Sequence, residues 1–444
     1  MPLFSLNGVH LKHCKNTAGM KPERIATPKI VTIPTSMHIG APAIPCVAVG
    51  DEVKVGQKIA EPGTGLSSPI YSGVSGKVKK LDEITVTTGA RVRVIVIECD
   101  GAQTLAESVV PPTVTDRESF VSAVRESGIV GLGGAGFPTS VKLNVPDGRV
   151  DTVVVNGAEC EPYITSDTRT MLDQSELVAE GLALLMKYLN VPNAIFGIEK
   201  NKPECIAKMK QATASMAGVQ IRALPSIYPQ GGEKVLVYHT TGRVIGEGKL
   251  PLDHGVIVIN CTTLAAIANY LRTGMPLVEK CVTVDGSAVK TPKNLIVPIG
   301  TSVRDVIEAC GGFSQEPKKI LSGGPMMGVA LVDVNAPVLK QTNAVLAFGK
   351  KEATPPKPTA CIRCGKCLDS CPFSLAPVEI SKAYEQGDDA MLAKLKVNLC
   401  MECGCCSYIC PAKRNLVQTN RLAKGTLRVY QENLKKQKED TARG

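Results

Sequence analysis

The chain has 444 residues, a formal net charge of +10, 17 cysteines, no tryptophan and only 4% aromatic residues. At roughly 150 residues per domain, that length implies about three folding units, with cores built from Val, Ile, Leu and Ala. No apolar run reaches the roughly 18 residues of a membrane-spanning helix, and MPLFSLNGVHLKHC lacks the pattern of a secretion signal.

The basic surplus has no nucleic-acid motif beside it, so the expected partner is an acidic protein or an anionic membrane surface. Part of it lies in a C-terminal tail carrying Lys435, Lys436, Lys438 and Arg443. The expected location is the cytoplasmic side of the cell membrane, held peripherally.

In chain order, residues 1–30 read as irregular. Residues 31–100 alternate short Val/Ile stretches with glycine turns (VAVGDEVKVGQKI, PIYSGVSGKVKKL, RVRVIVIECDG), which predicts an all-β module within 1–110. It resembles the barrel-sandwich fold of biotinyl and lipoyl carriers. Leu66–Ser75, where those carriers hold a modified lysine, has none. A docking or structural role follows.

Residues 111–260 read as an α/β unit. Helical patterns at Phe120–Ser127, Asp173–Leu189 and Pro203–Ser215 alternate with strands at Thr152–Asn156, Ala194–Glu199 and Gly255–Asn260. Such alternation predicts a parallel sheet. Residues 261–352 open with a helix over Thr262–Arg272, then return to β patterning. VTVDGSAVKTPKNLIVPIGTSVRDVIEACGG resembles a ubiquitin-like β-grasp module of the soluble-ligand-binding kind. A Pro-rich linker, Glu352–Thr359, leads into residues 353–444.

Three motifs in the α/β unit carry candidate binding residues. GLGGAGFPTSVKL places four glycines within 131–136, so backbone amides can approach an anion closely, and Lys142 adds charge. Gly131, Gly133 and Gly136 match GxGxxG, but the segment follows a helical pattern rather than a strand and precedes Pro138, unlike the dinucleotide fingerprint. VVVNGAECEPYITSD puts Asn156, Glu159 and Glu161 just past a strand end, where open α/β sheets bind ligands. Extended backbone would put both glutamates on one face. In YPQGGEKVLV, Gly232 and Glu233 flank a close backbone approach; the plainer reading is a helix start after a glycine turn.

The last segment carries the most specific signal. Cys361, Cys364, Cys367 and Cys371 precede Pro372, and Cys400, Cys403, Cys406 and Cys410 precede Pro411. Paired CxxCxxCxxxCP runs are the two-cluster ferredoxin arrangement, in which the fourth cysteine of each run serves the other cluster. Cys361, Cys364, Cys367 and Cys410 are therefore assigned to one [4Fe-4S] cluster, and Cys400, Cys403, Cys406 and Cys371 to the other. Zinc sites use CxxC pairs across a loop instead. Cys405 fits neither step of the spacing. Apolar residues within 375–397 predict two helices with a turn at Gly387–Asp388, shielding the clusters.

The three α/β motifs together resemble the flavin subunit of respiratory complex I. That resemblance implies an FMN site that also receives NAD(H). Gly133, Gly134, Gly136 and Lys142 would face phosphate, Phe137 would contact the nicotinamide or adenine, Asn156, Glu159 and Glu161 would line the pocket, and Gly232 and Glu233 would close it. End to end, over about residues 3–430, the chain resembles the C subunits of the Rnf complexes, membrane-associated ferredoxin:NAD oxidoreductases. It lacks the long Ala/Lys-rich tail of some members. The resemblance implies an oxidoreductase and translocase subunit moving electrons between NAD(H), FMN and two [4Fe-4S] clusters. Its implied partners are integral membrane subunits, a ferredoxin-like iron–sulfur subunit and ferredoxin, with Na+ or H+ export as the coupled process. The alternatives are a corrinoid reductase of similar layout and a non-enzymatic electron relay without flavin.

Overall fold

The computed structural model describes residues 6–87 and 89–443. The N-terminal module consists of two small sheets. One orders Ile30–Pro34, Arg91–Cys99, Gly76–Thr85 and Glu52–Val53; the other orders Ile44–Pro45, Lys58–Glu61 and Ile70–Tyr71. Four consecutive residues, Val94, Ile95, Val96 and Ile97, are buried in the centre of the Arg91–Cys99 strand. A strand buried on both faces reads as a continuous apolar run rather than an alternating one.

The α/β unit is a four-stranded parallel sheet ordered Val219–Leu224, Asn193–Glu199, Thr152–Gly157, Val256–Asn260. By chain order this is third, second, first, fourth. The order reverses between Thr152–Gly157 and Val256–Asn260, which opens a crevice at the carboxyl ends of those two strands. The helix expected over Asp173–Leu189 runs Ser175–Leu189, and a further helix, Ser166–Asp173, precedes it across Gln174. Helix Cys261–Thr273 also belongs here. Its Leu264, Ala265 and Ile267 share one buried core with Val153, Val155 and Leu182, so the division drawn after Asn260 cuts through this unit. The apolar face of that helix matches the sheet it leaves, and a helix directly following a parallel strand packs back on the same sheet.

The next module has a six-stranded sheet with helix Val303–Ala309 packed on it through Val306 and Ile307. Its edge strand, Glu23–Arg24, comes from the segment read as irregular and pairs in parallel with Leu295 and Ile296. In the C-terminal unit, helices Pro377–Glu385 and Asp389–Lys394 match the two expected. They share a core with Ala423 and Leu427 of helix Leu416–Arg443. The basic segment read as a tail thus continues a helix. No described helix is long and apolar enough to cross a membrane.

Candidate functional site

Asn156 and Asn260 stand opposite each other in register at the open ends of the two strands flanking the crevice. Asn156 donates from Nδ2 to the Gly231 carbonyl (2.9 Å) and accepts at Oδ1 from the Ala158 amide (3.2 Å). Asn260 caps its helix by accepting from the Thr262 and Thr263 amides, and its Nδ2 donates to Asp167 (2.8 Å). The glycine loop lies over this edge. A β-carbon on Gly133 would stand 2.5 Å from Asn260 Nδ2, whereas one on Gly134 would meet nothing. The loop is closed by the Gly131 amide donating to the Phe137 carbonyl (2.8 Å). Gly133 and Gly134 are exposed. From the far end of the loop, Lys142 Nζ reaches Glu233 Oε1 and the Val258 carbonyl, both at 3.0 Å.

The structure therefore brings Gly133, Lys142, Asn156, Gly231 and Glu233 to one crevice. An open glycine loop, a cation and two strand-end amides suit a flat anionic ligand such as FMN. Asn260 lines this crevice, and the sequence motifs do not single it out. Its signal is an Asn at the end of VIVIN, followed at once by a helix.

The two glutamates are placed differently. Glu159 is in the left-handed region (φ 44°), so the backbone is not extended and the two side chains do not share a face. The Glu159 carboxylate turns back onto helix Ser166–Asp173. It accepts from the Asp167 amide (2.6 Å), the Thr168 amide (3.2 Å) and the Thr168 hydroxyl (2.5 Å). Burial raises its pKa despite Lys15 at 4.0 Å. Glu161 accepts from the Met326 (3.0 Å) and Met327 (2.7 Å) amides of the following module, and burial raises its pKa too. Both are positioning groups in this geometry. Lys15 fastens the loop by donating to the carbonyls of Glu159 (2.8 Å), Glu161 (2.9 Å) and Ile164 (2.5 Å). A cavity of 280 Å³ lies elsewhere, lined by Lys15, Thr168, Lys202 and Cys205 among others and by no glycine-loop residue.

The two cysteine runs repeat one local geometry 39 residues apart. Gly365 and Gly404 both adopt positive φ (76° and 81°) and start the short helices Lys366–Asp369 and Cys405–Ile409. A side chain would strain that turn, which glycine takes freely. The thiols acting on Cys406 are Cys403, Cys400 and Cys371; burial and these neighbours push it up to about 12. Cys367 is raised mainly by burial, with Cys410 acting on it. Cys371 thus acts on the second run and Cys410 on the first, each from the other run. No three His, Cys, Asp or Glu side chains among the described residues form a single-ion site. A four-iron cluster asks for a different spacing, because each thiolate meets its own iron. Backbone and side-chain N–H groups already point at the sulfurs: Leu375 N to Cys371 and Asn420 Nδ2 to Cys400.

The second run packs directly against the crevice loop. The Tyr228 hydroxyl donates to the Cys403 carbonyl (2.8 Å), and the Cys405 thiol donates to the Tyr228 carbonyl (3.8 Å). Hydrogen bonding from Cys405 lowers the Cys403 thiol. Met401 Cε lies 2.4 Å from where a β-carbon of Gly232 would stand. Val9, Tyr228, Met326 and Met401 join Cys403 and Cys405 in one apolar cluster. Cys405, unexplained by spacing, sits in this seam.

The comparisons with known proteins agree with this arrangement segment by segment. Residues 4–102 match the RnfC barrel sandwich hybrid domain, 124–269 the Nuo51 FMN-binding domain, 281–330 the SLBB domain and 357–426 the 4Fe-4S dicluster domain. The chain is 44% identical over 398 residues to the C subunit of the proton-translocating ferredoxin:NAD(+) oxidoreductase complex of Clostridium ljungdahlii, covering 88% of this chain and 86% of that one. The chain belongs to the RnfC family. A second RnfC relative, from the Na(+)-translocating ferredoxin:NAD(+) oxidoreductase complex of Acetobacterium woodii, is 43% identical over 425 residues, covering 94% and 95%. Among solved structures, an NAD+-reducing [NiFe]-hydrogenase chain shares the fold at a TM-score of 0.50 and 18% identity, covering 70% of this RnfC chain and 63% of its own.

Proposed function

We propose that this chain is the NAD(H)-handling subunit of a membrane-bound ferredoxin:NAD+ oxidoreductase complex, lying peripherally on the cytoplasmic side. It exchanges electrons with ferredoxin through partner subunits that export Na+ or H+. The observation that carries this reading is the contact of the second cysteine run with the crevice loop through Tyr228, Cys403 and Cys405. That contact supports a one-electron relay beside a two-electron site.

FMN, when bound, supplies the exchange between hydride and single-electron chemistry. Lys142 would hold its phosphate end together with the glycine-loop amides, and Asn156 and Asn260 would meet its edge at the crevice. Glu233 holds Lys142 in place. Tyr228, Met326 and Met401 keep water out of the seam between crevice and cysteines. The two thiolate sets would each hold one [4Fe-4S] cluster. No general acid or base is required, since the protein's part is positioning and exclusion of water. The corrinoid-reductase alternative has no observation in its favour: the two relatives described above, matched over most of their length, are RnfC chains.

The test is an anaerobic NADH titration of FMN-supplemented, iron-loaded protein, followed by absorbance and low-temperature paramagnetic resonance. Flavin bleaching followed by a reduced four-iron signal is the expected result. Intact clusters with no flavin binding or bleaching would overturn the reading.

A further inference from the structure

The two cysteine runs share their spacing but differ at one step. Between its second and third cysteines the first run reads Gly365–Lys366 and the second Gly404–Cys405. Lys366 is exposed. Cys405 is 1% exposed, a thiol that the ligand spacing leaves unused. The set containing Cys403 meets the crevice loop through Tyr228 and is the inner one. The set containing exposed Cys364 is the outer one.

Cys405 stands between two acceptors, the Cys403 sulfur and the Tyr228 carbonyl. Its contact with the carbonyl is long, 3.8 Å, and that oxygen already takes the Val9 amide at 2.8 Å. The S–H is therefore not needed there. A thiolate is the stronger acceptor, and hydrogen bonding from Cys405 already holds the Cys403 thiol below its ordinary value. Two other inner ligands have donors of their own: the Leu375 amide on Cys371 (3.4 Å) and Asn420 Nδ2 on Cys400 (3.5 Å). Burial makes an added electron costly for a cluster, and donors aimed at its sulfurs offset that cost by stabilising the added negative charge.

We propose that Cys405 is a positioning residue that acts through Cys403: its S–H, directed at the Cys403 sulfur, raises the potential of the inner cluster. The proposal rests on the two-cluster reading above. Reduction adds one electron to the inner cluster. No bond forms or breaks, and the proton stays on Cys405. A buried cluster beside the crevice is thereby kept reducible by an electron arriving from the crevice side. Exposed Lys366 supplies no buried donor at the same step of the outer run, so the two clusters are made unequal by this one position.

The test is an anaerobic mediated redox titration of the full iron-loaded chain, read by low-temperature paramagnetic resonance. It needs neither NADH nor FMN, so a failed flavin site would not disturb it. The unaltered chain is compared with Cys405→Ala, Cys405→Ser and Lys366→Ala. Cys405→Ala is expected to lower one of the two potentials by about ten-fold in the reduction equilibrium, ~59 mV for one electron, and to leave the other in place. Cys405→Ser keeps a donor and should stay at the unaltered potential. Lys366→Ala should not move the wave that Cys405→Ala moves. Unchanged potentials in Cys405→Ala, an equal loss in Cys405→Ser, or an equal shift of both clusters would each overturn the proposal. Should Cys405→Ala fail to assemble the inner cluster, Cys405→Val fills the space without a donor and carries the same comparison. An inner cluster that no Cys405 variant can hold would make Cys405 part of the ligation and overturn the proposal as well. If the unaltered chain titrates as a single cluster, the two-cluster reading itself has failed and the proposal falls with it.

Discussion

Glu159 illustrates how a residue can belong to a functional loop without facing its ligand. Its carboxylate takes three donors at the start of helix Ser166–Asp173. A buried donor left without a partner costs more than a hydrogen bond returns on average. Glu159→Ala orphans all three. The expected loss is on the order of 3 kcal/mol, read as a lower urea midpoint for the α/β unit, and the clusters should remain assembled. Glu161 acts across a module boundary by holding the Met326 and Met327 amides. Glu161→Gln should keep flavin binding while slowing electron arrival at the inner cluster, because the Met326 side of the seam loosens. Stopped-flow detection of cluster reduction after NADH mixing separates the two steps.

At the level of elements, the glycine loop and helix Cys261–Thr273 act as one unit. Asn260 caps that helix and also backs the loop at Gly133. A methyl group on Gly133 would collide with the Asn260 amide, and overpacking a fitted contact costs about 1–3 kcal/mol. Gly133→Ala is thus expected to weaken FMN by about ten-fold or more, measured by quenching of flavin fluorescence, with iron and sulfide content unchanged. A loop free to move away would show no change in affinity.

Across the whole molecule, Lys340 ties its own module to two others. It is fully buried and donates to the Pro69 and Gly128 carbonyls, both at 2.7 Å, and to Ser68 Oγ at 3.3 Å. No carboxylate bonds it, and burial lowers its pKa to about 7. Between that value and the ordinary lysine value, the unfolded chain keeps a proton the folded chain has released. Stability from this group therefore rises with pH across that window and is lowest below pH 7. Lys340→Met should lose that rise. Melting temperatures of both proteins at pH 7 and 9 check it: the variant's difference between the two should be the smaller.

The cysteine runs, the glycine loop and the strand–helix alternation were legible in the chain because their physics is local. Ligand spacing, turn chemistry and apolar period are all written over short windows. The order of domains was legible for the same reason, since each has its own pattern. What the sequence left open depends on contacts between residues far apart. Glu23–Arg24 became a sheet edge only by meeting Leu295, and helix Cys261–Thr273 joined the α/β core only through its packing against Leu182. The sheet order that creates the crevice, and so makes Asn260 the counterpart of Asn156, is a property of topology. The inner and outer character of two nearly identical cysteine runs was also decided by tertiary structure. Spacing is the same in both, but burial against Tyr228 and Met401 decides which run faces the crevice and which faces solvent.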